Sequence, residues 1–299
     1  MKITAISDIH GAISQIDIKP CDVLCICGDV INLNDQRNLE TSRKWWTTRF
    51  VEWVNGLPCD KVFVIPGNHD FLIEHLYNHN DPFKEYDVFK AELAKLTNNK
   101  LILLVNESYT YKDFKFYGTP YINKIGYGIS KWAFEDSGYD SPTFTSQCIE
   151  WFKDIPNDVD ILLSHDSPTY NEYLNDRCKE LNFKAHFYGH WHGGPSRVDK
   201  KQYNCSYLND NYNVENKCIT IEIEKEKDML HTKSDVISEI YDELKSQEGL
   251  LYKEEILQWL DVKYLESLTQ DDDGYEVDNT IDEDEYVTVP YNYDDDEID

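Results

Sequence analysis

The chain has 299 residues, with 57 acidic side chains against 29 basic ones and a formal net charge of −28. That length supplies a sizeable core; no apolar run nears the ~18 residues of a membrane helix, and MKITAISDIHG lacks the basic-then-apolar order of a secretory signal. So acidic a balance opposes general affinity for nucleic acid or an anionic bilayer, while leaving room for a local electropositive site.

KITAIS (2–7) and DVLCIC (22–27) read as buried strands, each stopping at a polar cluster. From Gln36 to Asn55 the chain carries Leu39, Trp46, Phe50, Trp53 and Val54 at largely helical spacing, which predicts an amphipathic helix. KVFVIP (61–66) is a third strand, stopped by Pro66 and Gly67. A helix is expected over Asp87–Leu96, with Val88, Leu93 and Leu96 on its buried side. Two strands follow, LILLV (101–105) and TYKDFKFYG (110–118), and then a loop rich in Gly and Tyr. A helix over Thr145–Lys153, the strand DILLSH (160–165), a helix over Tyr170–Leu181 and the strands KAHFYGH (184–190) and CITIEIE (218–224) complete the series. Strands separated by helices in this way predict an α/β protein, a central sheet covered by helices.

Past residue 225 the pattern changes. Val236, Ile240, Leu244, Leu251, Ile256, Leu257, Trp259 and Leu260 predict two helices, a C-terminal appendage over 226–270. Residues 271–299 hold fourteen Asp or Glu and no Lys or Arg, half of the net charge, and are expected to be disordered. The eight cysteines form no C-x-x-C pair. They read as reduced thiols packed as small apolar side chains, with Cys25 and Cys27 on one strand face, and the compartment expected is the cytoplasm.

The residues with chemistry stand where the apolar runs stop. The first ends in Asp8-Ile9-His10, the second in Gly28-Asp29, the third in Gly67-Asn68-His69-Asp70, a fourth in His165-Asp166 and a fifth in Gly189-His190-Trp191-His192. Ligand sites of α/β sheets form just beyond the carboxyl ends of strands. Residues two apart in an extended segment face one side, so Asp8 with His10, and His190 with His192, each offer two donors together. A donor set of Asp, His and Asn without thiolate favours Mn, Fe, Zn or Mg over a structural zinc knot. Each motif alone also has a plain reading as a turn, a helix cap or a surface pair. The conjunction carries the case: five of the nine histidines fall in these motifs, and His75, His79, His186 and His231 fall outside.

This order of motifs resembles the calcineurin-like metallophosphoesterase superfamily over residues 1–224. CDVLCICGDVIN, WVNGLPCDKVFVIPGNHD, FKFYGTPY, DILLSHDSP and HFYGHWH are most similar to its small metallophosphoesterase-domain (MPPED-type, class-III-like phosphodiesterase) proteins. The resemblance implies an αββα sandwich over residues 1–225 and a centre of two divalent metal ions, manganese first, with iron, zinc or magnesium as alternatives. It implies one ion on Asp8, His10, Asp29 and His192, and the second on Asp29, Asn68, His165 and His190. It further implies that His69 is a catalytic non-ligand which protonates the leaving group, with Asp70 as its orienting partner. Two such cations generate a nucleophilic hydroxide near neutral pH. GDVIN and GNHD depart from the Asp-Arg-Gly continuation and GNHE of the superfamily's protein Ser/Thr phosphatases, which disfavours that activity.

The expected substrate is a small phosphodiester, a nucleotide among them, rather than a long nucleic acid. In the loop 118–134, Tyr121, Tyr127, Trp132 and Phe134 either stack on a planar group or fold into a loop core, with Lys124 and Lys131 as its cations. Alternatives are a phosphomonoesterase or nuclease of the same fold, or a non-catalytic binding relative that recruits partners through its C-terminal region.

Overall fold

Sequence neighbours pair in parallel across two five-stranded sheets, each with one antiparallel edge strand. The computed structural model describes residues 1–78, 84–125, 131–136 and 146–224, all within a unit spanning Met1–Glu226. The predicted appendage (226–270), the acidic tail (271–299), Tyr127, His79 and His231 lie outside the described residues.

In the first sheet β1 (Lys2–Ile6), β2 (Cys21–Cys27), β3 (Cys59–Ile65) and β4 (Leu101–Leu103) run parallel, and β10 (Ile219–Glu222) lies antiparallel to β1. In the second, β5 (Glu107–Tyr111) is antiparallel to β6 (Phe114–Thr119), which is followed in parallel by β7 (Ile161–Ser164), β8 (Ala185–Tyr188) and β9 (Gln202–Asn204). Alternation along each strand gives two apolar faces. Ala5, Cys25, Cys27 and Phe63 on one sheet and Phe116, Leu163 and Phe187 on the other share a single buried cluster, so the sheets pack face to face. Phe63 and Phe116 stack within it, ring centroids 4.3 Å apart. The opposite faces, through Leu24, Ile26 and Val64 or through Tyr117 and Leu162, join the core formed with helical Trp46, Phe50, Phe89, Phe152 and Leu174. The layering is the expected αββα sandwich.

The long predicted helix forms as α1 (Leu39–Trp45), a wider π-type turn over Trp46–Phe50, and α2 (Val51–Gly56). It starts later than expected, because Asn38 caps it: its Oδ1 accepts the Glu40 and Thr41 N–H groups at 3.1 and 3.0 Å. Gln36 therefore belongs to the loop before the helix. An unpredicted helix, α3 (Phe71–Asn78), follows the third motif directly. In α4 (Glu85–Leu96) the expected buried side is corrected: Val88 and Leu96 are 58% and 42% exposed, while Phe89 and Leu93, four residues apart, are the buried pair. The predicted strand 110–118 is instead a hairpin of β5 and β6, since Lys112 and Asp113 both take left-handed backbone (φ 47° and 64°). The remaining helices are α5 (Cys148–Lys153) and α6 (Glu172–Glu180).

All eight cysteines are free thiols, and Cys25 and Cys27 are wholly buried in the layer between the sheets. Among the described residues no helix is long and apolar enough to cross a membrane.

Candidate metal centre

β1, β2 and β3 deliver Asp8, Asp29 and Asn68 just past their ends, and β7 and β8 deliver His165 and His190 from the facing sheet. Three hydrogen bonds tie these ends together. His165 Nδ1–H donates to the Cys27 carbonyl at 2.8 Å, Gly189 N–H to the His165 carbonyl at 3.1 Å, and His190 N–H to both Asp8 carboxylate oxygens at 3.1 and 3.0 Å. The five motifs read from the sequence therefore meet at one edge of the sandwich.

The backbone there is strained. Asp8, His10, Asp29 and His190 have φ of 52°, 38°, 51° and 64°, a region that side chains with a Cβ seldom occupy. A left-handed residue at a strand end breaks the pleat and turns its side chain away from the sheet. Gly67 serves by lacking a side chain, since a Cβ there would collide with Asp29 Oδ1 and His165 Cε1.

Three groups of donor atoms result, the atoms of each lying within 4.8 Å of one another: Asp8 with His10 and His192, Asp29 with His165 and His190, and His10 with Asp29 and His69. Asp29 links them. Its Oδ2 lies 3.7 Å from His10 Nε2, and its Oδ1 3.4 Å from His165 Nε2. Asn68 Oδ1 is 2.8 Å from the same His165 nitrogen. His192 places Nε2 3.4 Å from Asp8 Oδ1.

These residues fit a cation on two counts. Both ring nitrogens of buried His10 lack a hydrogen-bond partner, an expensive arrangement that a bound ion would resolve. His165 gives its Nδ1 proton to Cys27, so the lone pair of Nε2 in the neutral ring faces two oxygens, Asn68 Oδ1 and Asp29 Oδ1. Three acceptors converging without a donor call for positive charge between them, a second proton or a metal.

The electrostatics agree. Burial alone would neutralise Asp29 and Asp8, yet neighbouring imidazoles hold both ionised, Asp29 well below the ordinary carboxylate range and Asp8 at about 2. Burial pushes His10 down to about 4, leaving a neutral ring of the kind that ligates metals. At His165 burial opposes charge, but the carboxylates of Asp29 and Asp8 outweigh it and raise the group to about 10.

One expectation is corrected. Asp70 does not orient His69, because its carboxylate accepts the N–H groups of Gly67, Val30 and Ile31 at 2.8, 3.2 and 3.1 Å. Burial and the charge of Asp29 push it up to about 7. It clamps the loop after β2 to the loop after β3, and so fixes Asp29 against Asn68. The partner of His69 Nδ1 is Gln36 Oε1, at 2.5 Å, while His69 N–H donates to Asp29 Oδ1 at 2.8 Å.

Sequence reasoning missed Gln36, Ser206, Asp210 and Tyr212. Ser206 Oγ–H donates to Asp8 Oδ2 at 2.8 Å, Asp210 Oδ1 lies 3.5 Å from His192 Nδ1, and the Tyr212 ring meets His10 edge-on at 4.9 Å. None stands at an apolar-to-polar boundary, so no local signal marks them. The aromatic loop divides. Phe134 is buried and Tyr121 stacks on Trp151 at 4.0 Å, both as loop core, whereas the Trp132 ring lies 4.7 Å from that of His69. His186 is buried away from the centre on Ser164 Oγ at 2.7 Å.

Residues 1–194 match the calcineurin-like phosphoesterase family, and the chain belongs to that family. It is similar to metallophosphoesterase domain-containing protein 1 of Homo sapiens, 25% identical over 217 residues that cover 64% of this chain and 61% of that protein. Probable rhamnogalacturonate lyase C of Emericella nidulans is 24% identical over 204 residues, covering 65% of this chain and 17% of its own length. The chain thus spans less than two thirds of the length of either of these two relatives. A solved structure from Thermus thermophilus aligns at a TM-score of 0.42 with 11% identity, covering 70% of this chain and 89% of that one.

Proposed function

We propose that the chain is a phosphoesterase using two divalent cations, manganese first and iron, zinc or magnesium as alternatives, to hydrolyse small phosphodiesters. The carrying observation is the grouping of Asp8, His10, Asp29, His69, His165, His190 and His192 donor atoms within 4.8 Å of one another in three sets, with both ring nitrogens of buried His10 lacking a partner. In this reading Asp8, His10, Asp29 and His192 hold one ion, and Asp29, Asn68, His165 and His190 the other. When bound, such a pair supplies Lewis acidity, which activates water near neutral pH and offsets charge on the phosphoryl oxygens.

The chain's own residues do the rest. With Nδ1–H given to Gln36, His69 turns Nε2 to the centre, 3.8 Å from Asp29 Oδ2. Burial lowers its pKa, so it is the imidazolium form, carrying a second proton taken up from solvent on Nε2, that delivers a proton to the departing oxygen. Asp70 keeps the two loops in register from behind. The net charge of −28 works against long polyanionic substrates. The eight free thiols suit a reducing compartment, the cytoplasm.

A panel of bis(4-nitrophenyl) phosphate, 4-nitrophenyl phosphate and a labelled oligonucleotide, each with Mn²⁺, tests the reading. The diester should be turned over fastest. Faster monoester turnover would make the chain a phosphatase, and metal-independent or absent turnover on all three would overturn the proposal. Gln36→Leu should lower kcat about 5–10-fold at unchanged metal content, the scale of one lost orienting hydrogen bond; unaltered kcat would remove Gln36 from the machinery.

A further inference from the structure

We infer that Arg37 is a specificity-determining residue that reads an anionic group on the leaving side of the substrate. The inference rests on the phosphoesterase reading above and extends it to the chemistry of the departing alcohol or phenol.

Arg37 is held on an aromatic platform. Its guanidinium carbon lies 4.2 Å from the centre of the Phe71 ring and 5.0 Å from that of Trp132. A guanidinium seated on aromatic rings is held by cation–π attraction and keeps its five in-plane N–H donors available at its edge. Among the described residues Arg37 has no carboxylate or hydrogen-bond partner. Arg37 is exposed, and no carboxylate among the described residues occupies its guanidinium edge, which leaves that edge open to an anion from solution.

The platform is tied to the centre. Trp132 N–H donates to Glu135 Oε2 at 3.0 Å, and the buried Glu135 carboxylate also takes the Ile125 N–H at 2.7 Å. The next residue, Ala133, donates its N–H to the carbonyl of Asn68 at 3.1 Å, one residue before His69. Arg37 itself follows Gln36, the residue bonded to His69 Nδ1. Indole, phenyl and guanidinium therefore all stand on the His69 side of the centre. As the P–O bond to the leaving group breaks and water oxygen bonds to phosphorus, the departing oxygen takes its proton from His69. A substituent carried beyond that oxygen passes Trp132 and meets Arg37. A carboxylate or phosphate on the leaving group matches the planar fork of N–H donors; a nucleotide meets that description, as does a carboxylated phenol.

The test is a matched pair, methyl 4-carboxyphenyl phosphate and methyl 4-carbamoylphenyl phosphate, alike in shape and differing by one negative charge. Wild type with Mn²⁺ should prefer the carboxylate in kcat/KM about tenfold, mainly through KM, the scale of one charge-assisted hydrogen bond. The preference should fall to near unity in Arg37→Gln and be partly kept in Arg37→Lys. Equilibrium binding of methyl (4-carboxybenzyl)phosphonate and methyl (4-carbamoylbenzyl)phosphonate, in which a P–CH2 bond replaces the scissile P–O bond, gives the same comparison without turnover. Equal wild-type binding of the two, or a preference that survives Arg37→Gln, overturns the inference. A charge preference in binding with no hydrolysis of either ester supports the Arg37 site and overturns the phosphoesterase reading instead.

Discussion

Asp29→Asn is expected to lose metal while staying folded. The substitution keeps the shape of a side chain that is almost fully buried, but removes the charge on which two donor groups converge. Oδ1 of Asp29 serves His165 and the His69 N–H, and Oδ2 faces His10 and His69, so no neighbouring carboxylate reaches the same set. Changes to outer-shell partners typically weaken metal binding ~10–100-fold, and removal of a shared ligand charge should exceed the upper end of that range. Elemental analysis after gel filtration, with a thermal melt as a control for folding, makes the measurement. A folded Asp29→Asn protein that retains two metal equivalents would dismiss the shared centre.

His69→Ala should give the opposite pattern, with metal content near wild type and kcat down by ~10²–10⁴, the range of a lost general acid. The loss should be greatest with poorly departing alcohols, because an activated phenoxide needs little protonation. The case is open to a sharp contrary result, since His69 also stands in one of the three donor groups, with His10 and Asp29. Metal lost along with activity would make His69 a ligand and remove its proposed role. The bond from His69 Nδ1 to Gln36 leaves Nε2 turned to the centre, a geometry common to a ligand and to a proton donor, so the metal content of His69→Ala decides between the two roles.

Much of this was legible in the sequence because each chemical residue sits where an apolar run stops, and a run's end is a local signal. Asp8, His10, Asp29, Asn68, His165, His190 and His192 could be placed at strand ends without coordinates, and the structure brings them to one edge. Their partition into two ligand sets came from family resemblance, since spacing along the chain says nothing about which strands adjoin. Gln36 was hidden for a related reason. It looked like the first turn of a helix that Asn38 in fact begins, and only the fold carries it to His69. Asp70 misled through proximity, because adjacency to His69 suggested a pair while its carboxylate points to the backbone of the neighbouring loops. The hairpin at Lys112-Asp113 escaped notice because neither residue is the Gly or Asn that usually marks such a turn. In α4, the bulk of Phe89 chose the buried face over the spacing of smaller side chains.

The bonds from His165 to Cys27 and from His190 to Asp8 have a mechanical consequence. Each crosses from one sheet to the other, so the donor atoms proposed for a single ion are rooted in two slabs, packed through side chains such as Phe63 and Phe116 and joined by backbone bonds at Ser7. Any slippage of one slab over the other, even by a fraction of a side chain's width, opens the centre before a single strand is lost. On the proposed reading, turnover would therefore gauge how the two slabs are aligned, and repacking between them should register in turnover sooner than in the melting curve.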